Sequence, residues 1–267
     1  MRLGLSVNHK NTVYLIGSGI KSISHLTVEA QACIKQADKV LYLVNEPIIE
    51  QWIVKYSNHC SSLEDLYFSA NERSEKYQLI SDKIVSDSLS TKALTVVFYG
   101  HPTVFAEPGL KAIKVLDDLN VNTVVLPAIS AEDCLFADLR IDPGENGCYS
   151  VEASDLLIYD KNLIKDSDCI IWQVGSVGNI QSPTYEVNNI GINLLIAKLE
   201  EYYPKEYIVY IYEAAMYPST TAYIQKCKIK ELGDNTLTPL STLYIPAIKR
   251  NPPNLEIIRK LGLQDKF

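Results

Sequence analysis

Residues able to do chemistry are concentrated in a few short stretches. Tyr99-Gly100-His101-Pro102-Thr103-Val104-Phe105 puts a phenol, an imidazole and a Gly-His-Pro turn directly after an apolar run. Such a turn bares backbone polar groups at the carboxyl end of a strand, the edge where open α/β sheets bind ligands. The plainer reading is a tight turn ahead of a helix that Pro108 opens. Arg73 and Tyr77 stand four apart, so on a helix they share a face. A guanidinium beside a phenol suits proton transfer or oxyanion stabilisation, and equally a surface cation–π pair. Ser130, followed by Ala131, Glu132 and Asp133, has the spacing of a helix N-cap with an acid three residues on. A helix start beside a ligand also offers it free backbone N–H groups. Gly17-Ser18-Gly19 brings backbone within reach of a ligand, although Ser22 breaks the full GxGxxG pattern and a plain β–α connection explains the turn as well. In the second half, Trp172-Gln173-Val174-Gly175, Tyr212-Glu213-Ala214-Ala215 and Leu240–Pro246 fall near strand ends. Core packing accounts for most of them; Gln173, Ser241 and Thr242 are the side chains able to hydrogen-bond a ligand.

These stretches need elements to hold them. Short apolar runs alternate with helical spacing, the pattern of an α/β architecture. Strands are expected at Val13–Ile16, Lys39–Val44, Leu94–Phe98, Val121–Leu126, Cys169–Val174, Tyr207–Tyr212 and Thr242–Ile245. Thr27 is placed to cap a helix carrying Val28, Cys33, Ile34 and Ala37, and Pro47 to open another. A long polar helix fits Asn71–Ser88, with Tyr77, Ile80, Ile84 and Val85 at helical spacing. Another carries Ile192, Leu195, Ile196 and Leu199, and a short helical pattern (Leu255, Ile258, Leu261) lies in the last stretch, Asn251–Phe267. The domain boundary is placed near Pro127–Ser130, giving an N-terminal α/β domain, residues 1–128, and a C-terminal one, residues 129–267.

Bulk properties narrow the function classes. The chain has 267 residues, 47% of them hydrophobic, enough for one large core or two modest ones. A net charge of −7 and a pI of about 5.2, with no Lys/Arg cluster, speak against a nucleic-acid partner. No apolar run reaches the roughly 18 residues a membrane helix needs, and Met1–Lys10 lacks a secretory apolar region. The six scattered cysteines form no CxxC pair and do not cluster with the four histidines. They read as reduced thiols of a cytoplasmic protein, and no metal site is expected.

The order of these segments resembles the tetrapyrrole-methylase superfamily: a glycine turn after strand one, the Leu26-Thr27-Val28-Glu29-Ala30 helix start, and late strand-end contacts to S-adenosylmethionine. Closer still, the chain is similar to borosin peptide backbone α-N-methyltransferases. The matching stretches are Tyr99–Pro102 with Val104-Phe105, Ser130–Leu139, Ile141-Asp142-Pro143, Glu152–Asp155, Trp172–Gly175 and Ser241–Pro246. The resemblance implies a two-domain α/β tetrapyrrole-methylase fold. It implies that Tyr99, His101, Val104, Phe105, Ser130, Ala131, Gln173, Tyr212, Ser241 and Thr242 line the methyl-donor pocket, and that Tyr67, Arg73 and Tyr77 surround the reacting amide. It further implies S-adenosylmethionine as donor, with S-adenosylhomocysteine as product, and a homodimer with one precursor peptide per subunit. Two departures stand out: the family's usual glycine after His-Pro is Thr103, and a further pocket tyrosine falls on Glu64.

The residue set suits the reaction. An amide nitrogen is a poor nucleophile because its lone pair is delocalised into the carbonyl. Methylation needs the N–H proton removed and negative charge on oxygen stabilised, work for a tyrosine and an arginine. No core-like apolar segment follows the domain, so the substrate is expected on a separate ribosomally made precursor, a split arrangement. Two alternatives differ in class: a small-molecule C-methyltransferase acting on a precorrin-like tetrapyrrole, and a scaffold that binds donor or peptide without turnover. Loss of the pocket tyrosines would favour the scaffold; Tyr67, Tyr77 and Tyr99 are present.

Overall fold

The computed structural model describes residues 11–69, 72–179, 186–248 and 252–264. Met1–Lys10, the expected helix start at Asn71, and Asn251 with 265–267 at the end of the chain lie outside them. β1 (Thr12–Gly17) is an aliphatic run that stops at a glycine. A 3₁₀ turn, Ser22–His25, leads into α1 (Val28–Gln36), where Thr27 Oγ1 accepts the Ala30 N–H at 3.0 Å. β2 (Lys39–Leu43) is followed by α2 (Pro47–Tyr56), opened by Pro47 and capped by the Glu46 carboxylate, which accepts the Ile48 and Ile49 N–H groups. β3 (Cys60–Ser62) and the single-turn α3 (Glu64–Phe68) precede the long α4 (Arg73–Ser90). Then come β4 (Ala93–Phe98), α5 (Glu107–Asp118), β5 (Asn122–Val125) and α6 (Ala131–Leu139).

The five strands form one parallel sheet in the order β3-β2-β4-β1-β5. Alternate residues face opposite layers, as the period of two dictates. Val13, Leu15, Leu41, Leu94, Val96 and Phe98 pack with Ile80 and Ile84 of α4 and Ala112 and Leu116 of α5. Ile16, Val40, Tyr42 and Val97 pack with Ala30 and Ile34 of α1 and Ile49 and Ile53 of α2. Both faces are therefore covered, as a parallel sheet requires.

The rest of the chain builds α7 (Pro143–Asn146), β6 (Cys148–Glu152), α8 (Ala153–Ile158), β7 (Asp168–Trp172), α9 (Asn189–Glu200), β8 (Ile208–Glu213), β9 (Tyr223–Lys228), β10 (Thr242–Ile245) and α10 (Leu255–Lys260). Its sheet runs β6-β7-β10-β8-β9, with β6 and β7 parallel and β10 antiparallel to both neighbours. Ile171, Ile211 and Leu243 meet Ile192, Leu195 and Leu199 of α9 in its core.

The chain divides into two compact units. The first contains the residues up to Arg140 and, after a long excursion, Ala214–Tyr223; the second begins at Ile141. The chain thus leaves the first unit after α6, later than the expected junction at 128. The side chains of α6 explain this: Asp133 and Asp138 face His25, and Cys134 sits beside Lys21 and Tyr99, all in the first unit. Core burial along α4 yields a direct test. Ile80→Ala, at a position 0% exposed, is expected to cost about 2–5 kcal/mol in urea unfolding. Leu79→Ala, at a position 37% exposed, should stay within about 0.5 kcal/mol.

Candidate active site

In the first sheet β1 and β4 lie side by side, but their connections leave in opposite directions. The chain after β1 goes by α1 to β2 on one side, and the chain after β4 goes by α5 to β5 on the other. That reversal is a topological switch point, where the carboxyl ends of adjacent strands leave a crevice for ligands. The two loops that emerge there are the two motifs singled out from sequence. Gly17–Lys21 and Tyr99–Phe105 are joined by an antiparallel bridge in which Gly19 and Gly100 exchange N–H···O bonds of 3.1 Å. Contact is close enough to exclude side chains: a Cβ on Gly17 would stand 2.1 Å from the Gly100 carbonyl oxygen.

Tyr99 is half-buried, and burial, then Cys134 and Glu46, push its phenol up to about 12. It is therefore a neutral hydrogen-bonding group at any physiological pH. His101 Nδ1 accepts the Thr103 N–H at 3.2 Å and lies 3.0 Å from its hydroxyl, so the threonine that departs from the family pattern fixes the imidazole. Phe105 adopts a left-handed backbone (φ 54°), and Val104 and Phe105 are exposed apolar side chains. Ser130 forms the expected capping box. Its Oγ accepts the Asp133 N–H at 3.2 Å, and the Asp133 carboxylate accepts from Ser130 N and Oγ, both at 2.7 Å. Ala131 follows as the first residue of α6. Glu46, buried after β2, caps α2, and after burial its carboxylate is the next cause that pushes the Tyr217 phenol up. The returning segment Ala214–Tyr223, part of the same unit, thus comes within electrostatic reach of that sheet edge.

α3 follows β3 directly and α4 begins soon after, so the three expected catalytic side chains sit at a corner of that carboxyl edge. Arg73 Nε donates to Tyr77 Oη at 2.8 Å, and the guanidinium carbon lies 5.4 Å from the ring centroid. The tyrosine is 8% exposed, so this pair is no solvated surface contact. Tyr67, half-buried, stacks under the Lys76 ammonium, 5.3 Å from its ring centroid. Lys76 is 0% exposed and was missed in the sequence reading, because a lysine on a polar helix reads as solvated. The signal was its register, four and eight residues before Ile80 and Ile84 on the buried stripe. Glu64 is exposed at the start of α3.

The second unit collects its own four candidates at one sheet edge, because β10 runs antiparallel to β7 and β8 and starts where they end. Thr242 is opposite Tyr212, and Leu243 opposite Ile171. Gln173 takes a left-handed conformation (φ 57°) at the end of β7. Ser241 is buried, its Oγ donating to Glu213 Oε1 at 2.6 Å and accepting the Thr238 N–H at 2.8 Å. Glu213 also accepts from Thr238 Oγ1 at 2.7 Å, which makes it the organiser of this edge. Sequence reading quoted Glu213 beside Tyr212 without giving it a role. Among the described residues no three His, Cys, Asp or Glu side chains are grouped to hold a metal ion.

Residues 12–233 match the tetrapyrrole (corrin/porphyrin) methylases. The chain belongs to that methylase family. Its relatives include the methyltransferase/ribosomally synthesized cyclic peptide gymnopeptides precursor of Gymnopus fusipes, 36% identical over 93% of this chain and 60% of that protein. A type I borosin cyclic peptide precursor with methyltransferase of Coprinopsis marcescibilis is 36% identical over 94% of this chain and 66% of that protein. The methylase chain thus spans less than two thirds of these relatives. A solved uroporphyrin-III C-methyl transferase from Thermus thermophilus, complexed with S-adenyl homocysteine, shares the fold at a TM-score of 0.61 and 16% identity, covering 88% of this chain and 92% of that one.

The close approach of Gly17 to the Gly100 carbonyl can be probed directly. Gly17→Ala is expected to force the two loops apart and to cost about 3 kcal/mol, read as a lowered urea midpoint. An unchanged midpoint would show that the loops are not held as described.

Proposed function

We propose that this chain transfers methyl groups from S-adenosylmethionine to backbone amide nitrogens of a ribosomally made peptide. The observation that carries the reading is the Arg73–Tyr77 pair at the carboxyl edge of the first sheet, beside Tyr67 and Lys76. Relatives named as methyltransferases fused to cyclic-peptide precursors support a peptide substrate.

The first unit's edge has the chemistry a nucleoside-bearing donor needs. It offers backbone groups at a switch point, a phenol kept neutral, exposed Val104 and Phe105 for an apolar ring, and the N-terminus of α6 at Ser130-Ala131. When bound, S-adenosylmethionine supplies an electrophilic methyl group on a positively charged sulfur. Tyr99, His101, Val104, Phe105, Ser130 and Ala131 hold and orient it in this proposal, with Gln173, Tyr212, Ser241 and Thr242 kept as donor contacts on the strength of the resemblance. Because Ser130 Oγ is committed to Asp133 and Ser241 Oγ to Glu213, both hydroxyls act by fixing local backbone as well as by contact.

The chain's remaining task is to make an amide nitrogen react. Tyr67, once its own phenolic proton has passed to solvent, accepts the amide N–H proton at Oη as a phenolate and is left as the neutral phenol. Tyr77, whose oxygen already accepts from Arg73, donates its own hydrogen toward the amide oxygen, where negative charge gathers. Arg73 and Lys76 place two positive charges beside these phenols. The proposal has the peptide as a separate chain and the enzyme as a cytoplasmic homodimer with one peptide per subunit.

Two outcomes are expected. Arg73→Ala and Tyr77→Phe should lower the methylation rate by about 10²–10³-fold while changing donor affinity little, because their effect falls on the transition state. Mass spectrometry of peptide incubated with the enzyme counts the added methyl groups and fragmentation locates them; methyl groups confined to side chains, or full-rate variants, would overturn the assignment. Light scattering of the active enzyme should give the mass of two subunits, rising by two peptides on complex formation. A fully active monomer would remove the dimer.

A further inference from the structure

His25 lies outside every role assigned so far, yet its ring is built into the first of the two loops. Nδ1 accepts the Ile20 N–H at 3.3 Å and the Lys21 N–H at 3.1 Å. Two donors at one nitrogen leave no room for a hydrogen there, so the ring is neutral with its proton on Nε2. The side chain also packs on the turn itself: Gly19 has φ +71°, and a Cβ added to it would stand 2.3 Å from His25 Cβ. The turn held in this way is the one whose Gly19 exchanges backbone bonds with Gly100. A path of direct contacts thus runs from the imidazole through Gly17–Lys21 to Tyr99–Phe105.

We propose that His25 is a positioning residue of the donor site: its neutral imidazole holds the glycine turn, and through the Gly19–Gly100 bridge the Tyr99 loop, in the form that binds S-adenosylmethionine. This rests on the donor assignment made above. Protonation at Nδ1 would turn an acceptor into a donor facing two N–H groups and cancel both bonds. The charged groups facing the ring are Lys21 of its own turn, and Asp133 and Asp138 of α6. Burial, then Lys21, hold the imidazole below its ordinary 6.5, outweighing the two carboxylates. The folded, turn-closed state therefore binds fewer protons than the open one. Its stabilisation is complete above 6.5 and is lost as pH falls through the lower folded value.

The test uses the whole chain and two readouts, across a range from pH ~7.5 to ~5 that brackets histidine titration. The first is hydrogen-exchange protection of the Ile20 and Lys21 amides without ligand; the second is calorimetric affinity for S-adenosylhomocysteine. In the unaltered protein both should fall together as pH drops, the affinity by roughly tenfold, the worth of about two neutral hydrogen bonds. His25→Asn puts Oδ1 where Nδ1 stands and does not titrate, so both readouts should stay high and flat. His25→Phe keeps a ring but no acceptor, and should show low protection and weak affinity at every pH. Protection that falls without any loss of affinity, or a His25→Asn protein that titrates like the original, sinks this proposal alone. No binding at any pH sinks the donor assignment and this proposal with it.

Discussion

Two backbone hydrogen bonds between Gly19 and Gly100 fix the arrangement on which the first unit's site depends. Each is worth only about 0.5–1.5 kcal/mol in stability. Their effect is geometric: they set the distance between loops that leave adjacent parallel strands toward opposite sides of the sheet. Only glycines allow it, since the backbones approach too closely for any Cβ at Gly17 and Gly19 needs a left-handed φ. Around this contact the chain adds fasteners of different kinds. Thr103 holds the His101 ring, Asp133 and Ser130 lock the start of α6, and Glu46 caps α2 just beyond β2. Few of the polar side chains here are left to wander.

The α3–α4 corner follows another logic. A buried ammonium costs stability unless its surroundings compensate, and Lys76 is placed in the core stripe of α4 against the face of Tyr67. One turn away Arg73 bonds Tyr77. A chain selected for stability alone would fill such a stripe with aliphatic side chains, as it does at Ile80 and Ile84. Tyr99 makes the contrast: apolar burial keeps its phenol protonated, while two cations accompany the phenols at the corner. Environment, not residue type, separates the three tyrosines.

Much of this was legible in the sequence. Every expected strand is present, Thr242–Ile245 with the same ends, because a short aliphatic run in a covered sheet has few other options. Thr27, Pro47 and the Ser130–Asp133 box announce helix starts by chemistry that acts within a few residues. What stayed hidden depends on distant partners. β3, β6 and β9 read as polar or mixed segments, and they exist as strands because neighbours pair with them. Glu213 and Lys76 gain meaning only from Ser241, Thr238 and Tyr67, which lie elsewhere in the chain. His25 showed no pattern at all, since accepting two backbone N–H groups leaves no mark on spacing.

The connection between β8 and β9 has a consequence for how the protein is made. Ala214–Tyr223 belongs to the first unit, although the strands on either side of it belong to the second. A ribosome releases residues in order, and domains generally fold as they emerge. Here the first unit is not a continuous length of chain that can be finished before the second is begun. Its sheet can form once β5 has appeared, but the unit stays incomplete until Ala214–Tyr223 arrives, when most of the second unit has been synthesised. The sheet edge that carries the candidate chemistry is thereby among the last parts of the first unit to be completed, and a nascent chain stalled before that point holds a formed sheet with an unfinished rim.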